Sequence, residues 1–236
     1  MANDAADGLD NEIRVFLLLA GAGFAPRTVY DIGAADGTWS ARISGIFPEA
    51  AFHMFEPLAG LFPAFATHLA WQVQYHPTFR LHAIALGAES KQVTMRVHAD
   101  GYSSTTLDVG DHPEFRRRET VTQYRMDEYA EEFALPLPDL IKLDTQGAER
   151  EILGQATRCL EHASVVFAET WFDRRYGPTT PLLSELREFL VGYGYELAEI
   201  GQRFYDGDHY LNSCDAFFLK RSFLRQIAPA MPASNW

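Results

Sequence analysis

The chain has 236 residues, of which 47% are hydrophobic and 22% charged, a composition that suits one large globular domain. Its formal net charge of −12 and its single dense basic run, residues 116–118, argue against a nucleic acid or an anionic membrane as the partner. The two cysteines form no close pair, which argues against a disulfide framework and a zinc knot. The apolar run 15–22 is too short to span a membrane, and we therefore expect a cytoplasmic protein.

Short apolar runs alternate with amphipathic stretches along the chain, which is typical of a sheet with crossover helices. In chain order, helices are predicted over 10–22, 38–46, 58–70, from just past 147, and over 180–192. The predicted strands are 28–32, 51–55, 80–86, 92–98, 140–143, 165–168, 195–200 and 216–220. The fold class that follows is α/β, a doubly wound, mostly parallel, Rossmann-like seven-stranded sheet with an antiparallel edge strand.

The predicted elements form three parts: an N-terminal helical cover over 1–27, one domain over 28–227, and a flexible tail over 228–236. The polar stretch 100–125 is predicted to pass over the carboxyl edge of the sheet. With the loop 171–180, it is expected to line the pocket of a small-molecule ligand.

Four predicted strands end in an acidic residue, namely Asp31, Glu56, Asp144 and Glu169. In an open α/β sheet, ligands bind beyond the carboxyl ends of the strands. Carboxylates that crowd together repel one another, so four at one edge indicate a ligand that is rich in hydrogen-bond donors or positive charge.

The loop after the first predicted strand indicates which ligand. It contains only Gly33 and Gly37, with Asp36 between them, and lacks the Gly-x-Gly-x-x-Gly that brings backbone close to a pyrophosphate. An acid in this turn disfavours an NAD-dependent oxidoreductase and suits an ammonium or sulfonium group. Glu56, at the end of the second strand, is placed to accept both hydroxyls of a ribose, and Ala83 lies where the base would need a small residue.

The most specific segment is Asp-Leu-Ile-Lys-Leu-Asp-Thr-Gln-Gly-Ala-Glu at residues 139–149. With the loop 30–37 and Phe-Glu-Pro at 55–57, it resembles the FkbM family of S-adenosylmethionine-dependent methyltransferases, which carries an Ile-Lys-x-Asp-x-(Glu or Gln)-Gly-Ala-Glu signature. The resemblance extends over about 28–220 and includes Ala-Ile-Ala-Leu-Gly at 83–87, Ser103-Ser104 and Met126-Asp127.

The resemblance implies that 28–227 is a methyltransferase domain that uses S-adenosylmethionine, releases S-adenosylhomocysteine and methylates a hydroxyl of a sugar, polyketide or related small metabolite. The family's first loop usually has Asn where this chain has Ala35, and its signature more often has Glu where this chain has Gln146. The first departure, Ala35, leaves open a non-catalytic module that binds S-adenosylmethionine. The predicted cofactor-binding residues are Asp31, Gly33, Ala34, Asp36, Gly37, Glu56, Pro57, Ala83 and Asp144.

The chemistry of O-methylation requires a group that accepts the hydroxyl proton. Asp144 is the leading candidate, with Lys142 as its ion-pair partner, and Glu149, Glu169 and His209 are the other catalytic candidates. Ser103, Ser104 and Trp171 are the predicted substrate contacts. The acids permit a divalent metal without requiring one, so none is predicted, and the oligomeric state is left open.

Overall fold

The computed structural model describes residues 4–110, 112–115 and 117–230. Its helices are α1 (Asp4–Gly21), α2 (Thr38–Ser44), α3 (Pro63–Tyr75), α4 (Met126–Glu132), α5 (Glu149–Leu153), α6 (Thr157–His162), α7 (Leu183–Gly192) and α8 (Arg221–Ile227). Its strands are β1 (Thr28–Ile32), β2 (Ala51–Phe55), β3 (Phe79–His82), β4 (Ala85–Leu86), β5 (Lys91–Val97), β6 (Arg117–Tyr124), β7 (Leu140–Leu143), β8 (Val165–Trp171), β9 (Tyr195–Tyr205) and β10 (Leu211–Lys220).

The main sheet has seven strands in the order β3-β2-β1-β7-β8-β10-β9. The first five strands in this order, β3, β2, β1, β7 and β8, are parallel to one another, which confirms the doubly wound, mostly parallel fold class. The strand order reverses direction between β1 and β7. This is the topological switch point, where a crevice for a ligand opens beyond the carboxyl ends of the strands.

The antiparallel strand was expected at the edge of the sheet, and the structure corrects its position. β10 runs antiparallel to both of its neighbours, β8 and β9, and so lies one place in from the edge, which β9 forms. This arrangement follows from the hairpin that joins β9 to β10, because β10 is the member of the hairpin that pairs with β8. Asp215 thereby lies opposite Glu169.

Apolar side chains cover both faces of the main sheet. In β1, Val29 belongs to the core on one face, whereas Tyr30 and Ile32 belong to the core on the other, as the two-residue period of a strand requires. The first core includes residues of α1, α2, α3 and α8, and the second includes residues of α4, α5, α6 and α7. The result is a three-layer sandwich in which β1 and β7 are buried throughout.

The predicted strand 80–86 is two strands in the structure. β3 pairs with β2, the chain then turns where the Ile84 N–H donates to the His82 carbonyl (2.9 Å), and β4 joins a separate three-stranded sheet in the order β4-β6-β5. β6 lies within the stretch that was predicted to be a polar excursion. Its antiparallel partner β5 was predicted as an antiparallel strand over 92–98.

Other differences concern the bounds of elements. The second crossover helix begins at Pro63, a residue favoured in the first turn of a helix, rather than at residue 58. The sequence did not predict α6, and β9 and β10 are longer than predicted. Residues 228–230 form a short 3₁₀ turn, whereas the rest of the predicted tail and residues 1–3 lie outside the described residues. Among the described helices, none combines the length and hydropathy that a membrane crossing requires.

Candidate active site

A cavity opens at the carboxyl ends of β1, β2 and β7, beside the switch point. One side of it is formed by the loops that follow these strands, and the other by the segment 101–106. Apolar side chains line one end, and acidic and amide groups line the other. The lining residues include Gly33, Ala35, Glu56, Pro57, Asp144 and Gln146 from the strand ends, Ile84, Ala85, Leu86 and Met95 from the apolar end, and Tyr102, Ser103, Ser104 and Thr106 from the covering segment.

Gly33 brings the first loop against the loop after β7. Its φ of +76° lies in the left-handed region, and a Cβ atom built at this position would lie 1.9 Å from the backbone oxygen of Asp144. No side chain larger than hydrogen fits here without moving one of the loops. The glycine is therefore needed for the close approach of the two backbones at the floor of the cavity.

A buried ion pair lies directly below this floor. The Lys142 ammonium is 3.0 Å from Asp31 Oδ1, donates to the Gly33 carbonyl (2.7 Å) and lies 3.8 Å from Asp144 Oδ2. Burial by itself lowers the pKa of Lys142, but attraction to Asp31 and Asp144 outweighs it and leaves the pKa above its ordinary value. The lysine is therefore charged, and it holds the β1 loop and the end of β7 together.

Glu56 is a buried carboxylate whose two oxygens are already oriented by backbone donors. The Ala35 N–H donates to Oε2 (2.8 Å) and the Leu58 N–H donates to Oε1 (2.8 Å). Burial raises the pKa of Glu56 to about 7, and these two hydrogen bonds oppose the rise. Each oxygen keeps a lone pair, so the side chain can accept hydrogen bonds from two further hydroxyls.

Asp144 lies where the cavity meets the end of β8. Its side chain is 46% exposed, and its Oδ1 accepts a hydrogen bond from Gln146 Nε2 (2.8 Å). The same nitrogen donates to Glu169 Oε2 (2.9 Å), so one amide links the two carboxylates. Burial, with Asp144 and Glu149 nearby, raises the pKa of Glu169 well above its usual range. Of the two carboxylates, Asp144 is the one that lines the cavity.

Glu149 was predicted as a catalytic candidate, and the structure does not bring it to the cavity. Its Oε1 accepts hydrogen bonds from Thr145 N (3.0 Å), Thr145 Oγ1 (3.0 Å) and Gly147 N (3.2 Å). The side chain is fully buried, and burial raises its pKa. These hydrogen bonds order the turn between β7 and α5.

Trp171 and His209 also lie away from the cavity. Trp171 is buried and packs edge-to-face on Tyr176, with ring centroids 5.1 Å apart, so it supports the loop that contains Tyr176. His209 lies in the exposed turn between β9 and β10, with φ +65°, and its backbone N–H bonds to Asp206 (3.1 Å). Neither side chain lines the cavity, because the first points into a small core and the second extends from the hairpin.

The predicted cofactor residues divide into two groups in the structure. Gly33, Glu56, Pro57 and Asp144 line the cavity, as do the predicted substrate residues Ser103 and Ser104. Five others are not among the residues that line it: Asp31, Ala34, Asp36, Gly37 and Ala83. Asp31 is fully buried beside Lys142, and Asp36 accepts a hydrogen bond from Tyr102 (3.1 Å), a residue of the wall. These two act on the cavity through a neighbour, and the cofactor contacts themselves stay predictions.

A sequence model of the methyltransferase FkbM domain matches residues 31–197. The chain belongs to the FkbM methyltransferase family.

Solved structures are similar to this family member in fold. The FkbM methyltransferase of Methylobacillus flagellatus KT is 17% identical, with a TM-score of 0.53, and the match covers 81% of this chain and 43% of that one. The chain thus spans less than half the length of that protein. Precorrin-6y C5,15-methyltransferase of Geobacter metallireducens is 15% identical over 89% of each chain, with a TM-score of 0.46. The 1,6-didemethyltoxoflavin-N1-methyltransferase of Burkholderia thailandensis is 12% identical over 92% of this chain and 79% of that one, with a TM-score of 0.47. No curated protein sequence matches the chain.

Ala35, which stands where the family usually has Asn, has a backbone conformation that alanine disfavours. Its φ is +50°, in the left-handed region, where a Cβ atom costs about 1–2 kcal/mol and Asn is better tolerated than most residues. The family's Asn therefore has a conformational advantage here, quite apart from any contact of its side chain.

We expect Ala35→Gly to raise the free energy of unfolding by about 0.5–1 kcal/mol, because relief of the left-handed strain exceeds the added freedom of the unfolded chain. Urea denaturation measures the change. Ala34→Gly is the matched control: Ala34 is buried and its φ is not positive, so this variant is expected to lose stability. A loss of stability in both variants would contradict the prediction.

Sequence reasoning missed two residues that lie next to the pair Asp144 and Glu169. Tyr176 donates its hydroxyl hydrogen to Gln146 Oε1, a contact that depends on how the loop 172–182 folds back. Asp215 lies in β10 opposite Glu169, and burial raises its pKa well above its usual range. The predicted last strand began at residue 216, whereas β10 begins at Leu211, so the one acid within that strand was left in a loop. Within the described residues, no group of three or more His, Cys, Asp or Glu side chains is arranged to hold a metal ion.

Proposed function

We propose that this FkbM-family protein is an S-adenosylmethionine-dependent O-methyltransferase that acts on a hydroxyl of a small metabolite of the sugar or polyketide type. The observation that carries the proposal is that Glu56 and Asp144 line one cavity on either side of Gly33. One carboxylate is oriented to accept two hydroxyls, and the other faces the cavity next to a bridging amide.

The residues of the cavity fit the cofactor. Ile84, Ala85 and Leu86 offer an apolar slot for the adenine, and Glu56 offers two acceptors for the ribose hydroxyls. Asp144 and the acidic end suit a sulfonium and an ammonium group. When bound, S-adenosylmethionine supplies an electrophilic methyl group next to these side chains.

Asp144 is the residue that we assign to accept the proton of the acceptor hydroxyl. It is half-exposed to the cavity, and it is held by Gln146 and Lys142. Orienting the hydroxyl in line with the methyl group and removing its proton are the tasks that the protein has to perform. Glu169, whose pKa is raised by burial and by Asp144, is the neighbour that can share the proton afterwards.

The acceptor is proposed to enter by a cleft next to the cavity. Ser103 lines both, and the cleft lies between residues 98–109 and 112–115 on one side and the loop 173–177 on the other. Phe115 and Tyr176 supply aromatic surface, and His98, His112 and Glu114 supply polar groups. A mixture of aromatic faces and hydrogen-bonding groups suits a ring that has both C–H faces and hydroxyls.

Calorimetry with S-adenosylmethionine, S-adenosylhomocysteine and NAD tests the cofactor. Mass spectrometry then tests turnover with a panel of methyl glycosides and polyketide alcohols. Binding of both adenosyl compounds and formation of S-adenosylhomocysteine with an alcohol are expected. Binding without turnover on any alcohol would support the non-catalytic module, and binding of NAD alone would overturn the assignment.

The pKa of Glu56 predicts how cofactor binding depends on pH. The ionised carboxylate is the form that accepts two ribose hydroxyls, and its pKa is about 7 before the cofactor binds. Below this pKa, binding has to displace a proton. The Kd for S-adenosylmethionine should therefore rise by roughly tenfold for each pH unit below 7 and level off above it. Glu56→Gln is expected to bind more weakly and without this slope. Parallel pH dependences in the two proteins would refute the prediction.

A further inference from the structure

Gln146 is the common partner of the two carboxylates at the acidic end of the site. Its Nε2 donates to Asp144 Oδ1 at 2.8 Å and to Glu169 Oε2 at 2.9 Å. A primary amide has two N–H hydrogens, so each carboxylate receives one of them. Because two neighbouring carboxylates repel each other, a shared neutral donor is what keeps them close together.

The same residue contacts both segments that border the acceptor cleft. Its Oε1 accepts a hydrogen bond from the Tyr176 hydroxyl, and its backbone carbonyl accepts one from Thr105 Oγ1 (2.9 Å). Tyr176 is buried against Trp171, and its backbone N–H donates to Thr180 Oγ1 (3.1 Å). Gln146 is therefore hydrogen-bonded to the two carboxylates and to both cleft segments.

The backbone of Gln146 is held in a conformation that a glutamine rarely adopts. Its φ is +57°, in the left-handed region, although the next residue is a glycine. Strain of this kind costs of the order of 1–3 kcal/mol and persists where the surroundings fix the geometry. Here the conformation directs the side chain to the carboxylates and the carbonyl to Thr105.

We propose that Gln146 is a positioning residue, which holds Asp144 and Glu169 as one pair and ties that pair to the two segments that border the acceptor cleft. Its effect on turnover rests on the proposed methyltransferase function, whereas its effect on the two segments does not. The neutral amide is essential to this role. A glutamate at this position would have one hydrogen to donate instead of two, and only while it carried a proton.

Two substitutions test the proposal. Gln146→Leu removes the bridge, and Gln146→Glu makes the bridge depend on pH. The titratable groups that surround this position are Asp144 and Lys142 at the end of β7, Glu149 in α5, Glu169 in β8, Asp215 in β10 and Tyr176 in the loop. Arg175 adjoins Tyr176. Its positive charge lowers the pKa of Tyr176, but burial raises that pKa by more. The carboxylates outnumber the cations, so a glutamate at this position would keep its proton to a higher pH than usual.

The first readout is hydrogen exchange of the protein with S-adenosylhomocysteine bound, at pH 6 and pH 8, corrected for intrinsic rates. In Gln146→Leu, amides of 175–178 lose the side-chain partner of Tyr176 and should exchange at least tenfold faster at both pH values. Those of 103–106, which are held through the backbone carbonyl of residue 146, and those of β1 and β7 should stay unchanged. In Gln146→Glu, amides of 175–178 should exchange as in the wild type at pH 6 and faster at pH 8. Unchanged exchange of 175–178 in both variants would overturn the proposal.

The second readout is turnover with an alcohol that the wild type methylates. For Gln146→Leu, kcat should fall about 10- to 100-fold, as expected when reacting groups are displaced by about 1 Å, with the Kd for S-adenosylmethionine within threefold. For Gln146→Glu, kcat should approach the wild-type value at pH 6 and fall at higher pH. A wild-type pH profile in this isosteric variant would refute the role, even if Gln146→Leu did not fold. Absence of turnover in the wild type would count against the proposed function, and the exchange experiment would still decide the role of Gln146.

Discussion

Asp144→Asn is expected to lower turnover by roughly 10²- to 10⁴-fold, the range typical for loss of a general base. The substitution keeps the size of the side chain and its capacity to contact Gln146, but an amide cannot accept the proton of the acceptor hydroxyl. Binding of S-adenosylmethionine should weaken far less than turnover falls, because the ribose contacts assigned to Glu56 are untouched.

The experiment compares kcat and the calorimetric Kd of the two proteins. Asp208→Asn is the matched control: Asp208 is exposed in the turn between β9 and β10, so this variant should retain wild-type turnover. If Asp144→Asn turned over at the wild-type rate, the proton acceptor would lie elsewhere, and Glu169 would be the next residue to test.

Lys142→Met is expected to lower the free energy of unfolding by about 3–5 kcal/mol, the cost of leaving a partner of a buried ion pair without its counter-charge. The residue is only 4% exposed, and Asp31 is fully buried. Methionine is close to lysine in length but leaves Asp31 Oδ1 and the Gly33 carbonyl without the ammonium. The loss should therefore be much larger than that from an exposed lysine.

Urea denaturation measures this loss, and two variants serve as controls. Lys91→Met removes a half-exposed lysine that pairs with Glu89, so little change is expected. The double variant Asp31→Asn/Lys142→Met removes both charges and should recover most of the stability, because a neutral pair leaves no buried charge uncompensated. A small loss in Lys142→Met, or no recovery in the double variant, would show that the ion pair is not what holds the floor of the site.

The sequence predicted the central strands best. β1, β2 and β7 have the predicted bounds because each is a short apolar run that is buried on both faces, where the pattern depends only on local residues. The strand 80–86 and the strand β6 depend instead on pairing between distant segments. Residue 85 joins the second sheet because it pairs with residue 123 of β6. The residues around position 85 contain no information about such a distant partner.

The sequence predicted at which edge of the sheet the candidate site lies, but not which side chains beyond that edge point into it. Strand ends gave the correct location of Glu56 and Asp144, because every parallel strand delivers its last residue to the same crevice. The direction of a side chain after the strand depends on the turn. Glu149 turns inward because Thr145 and Gly147 present hydrogen-bond donors to it, and a spacing rule carries no information about that.

The position of β10 between β8 and β9 has a consequence for synthesis of the chain. In the described sheet, the only strand neighbour of β9 is β10, and the free side of β8 is also closed by β10. While a ribosome is still adding residues 211–220, β8 has an open edge and β9 has no strand to join. The sheet is therefore completed only when β10, the last strand to be synthesised, pairs with β8 on one side and β9 on the other. Until that moment, the nascent protein exposes a strand edge that can pair with another chain.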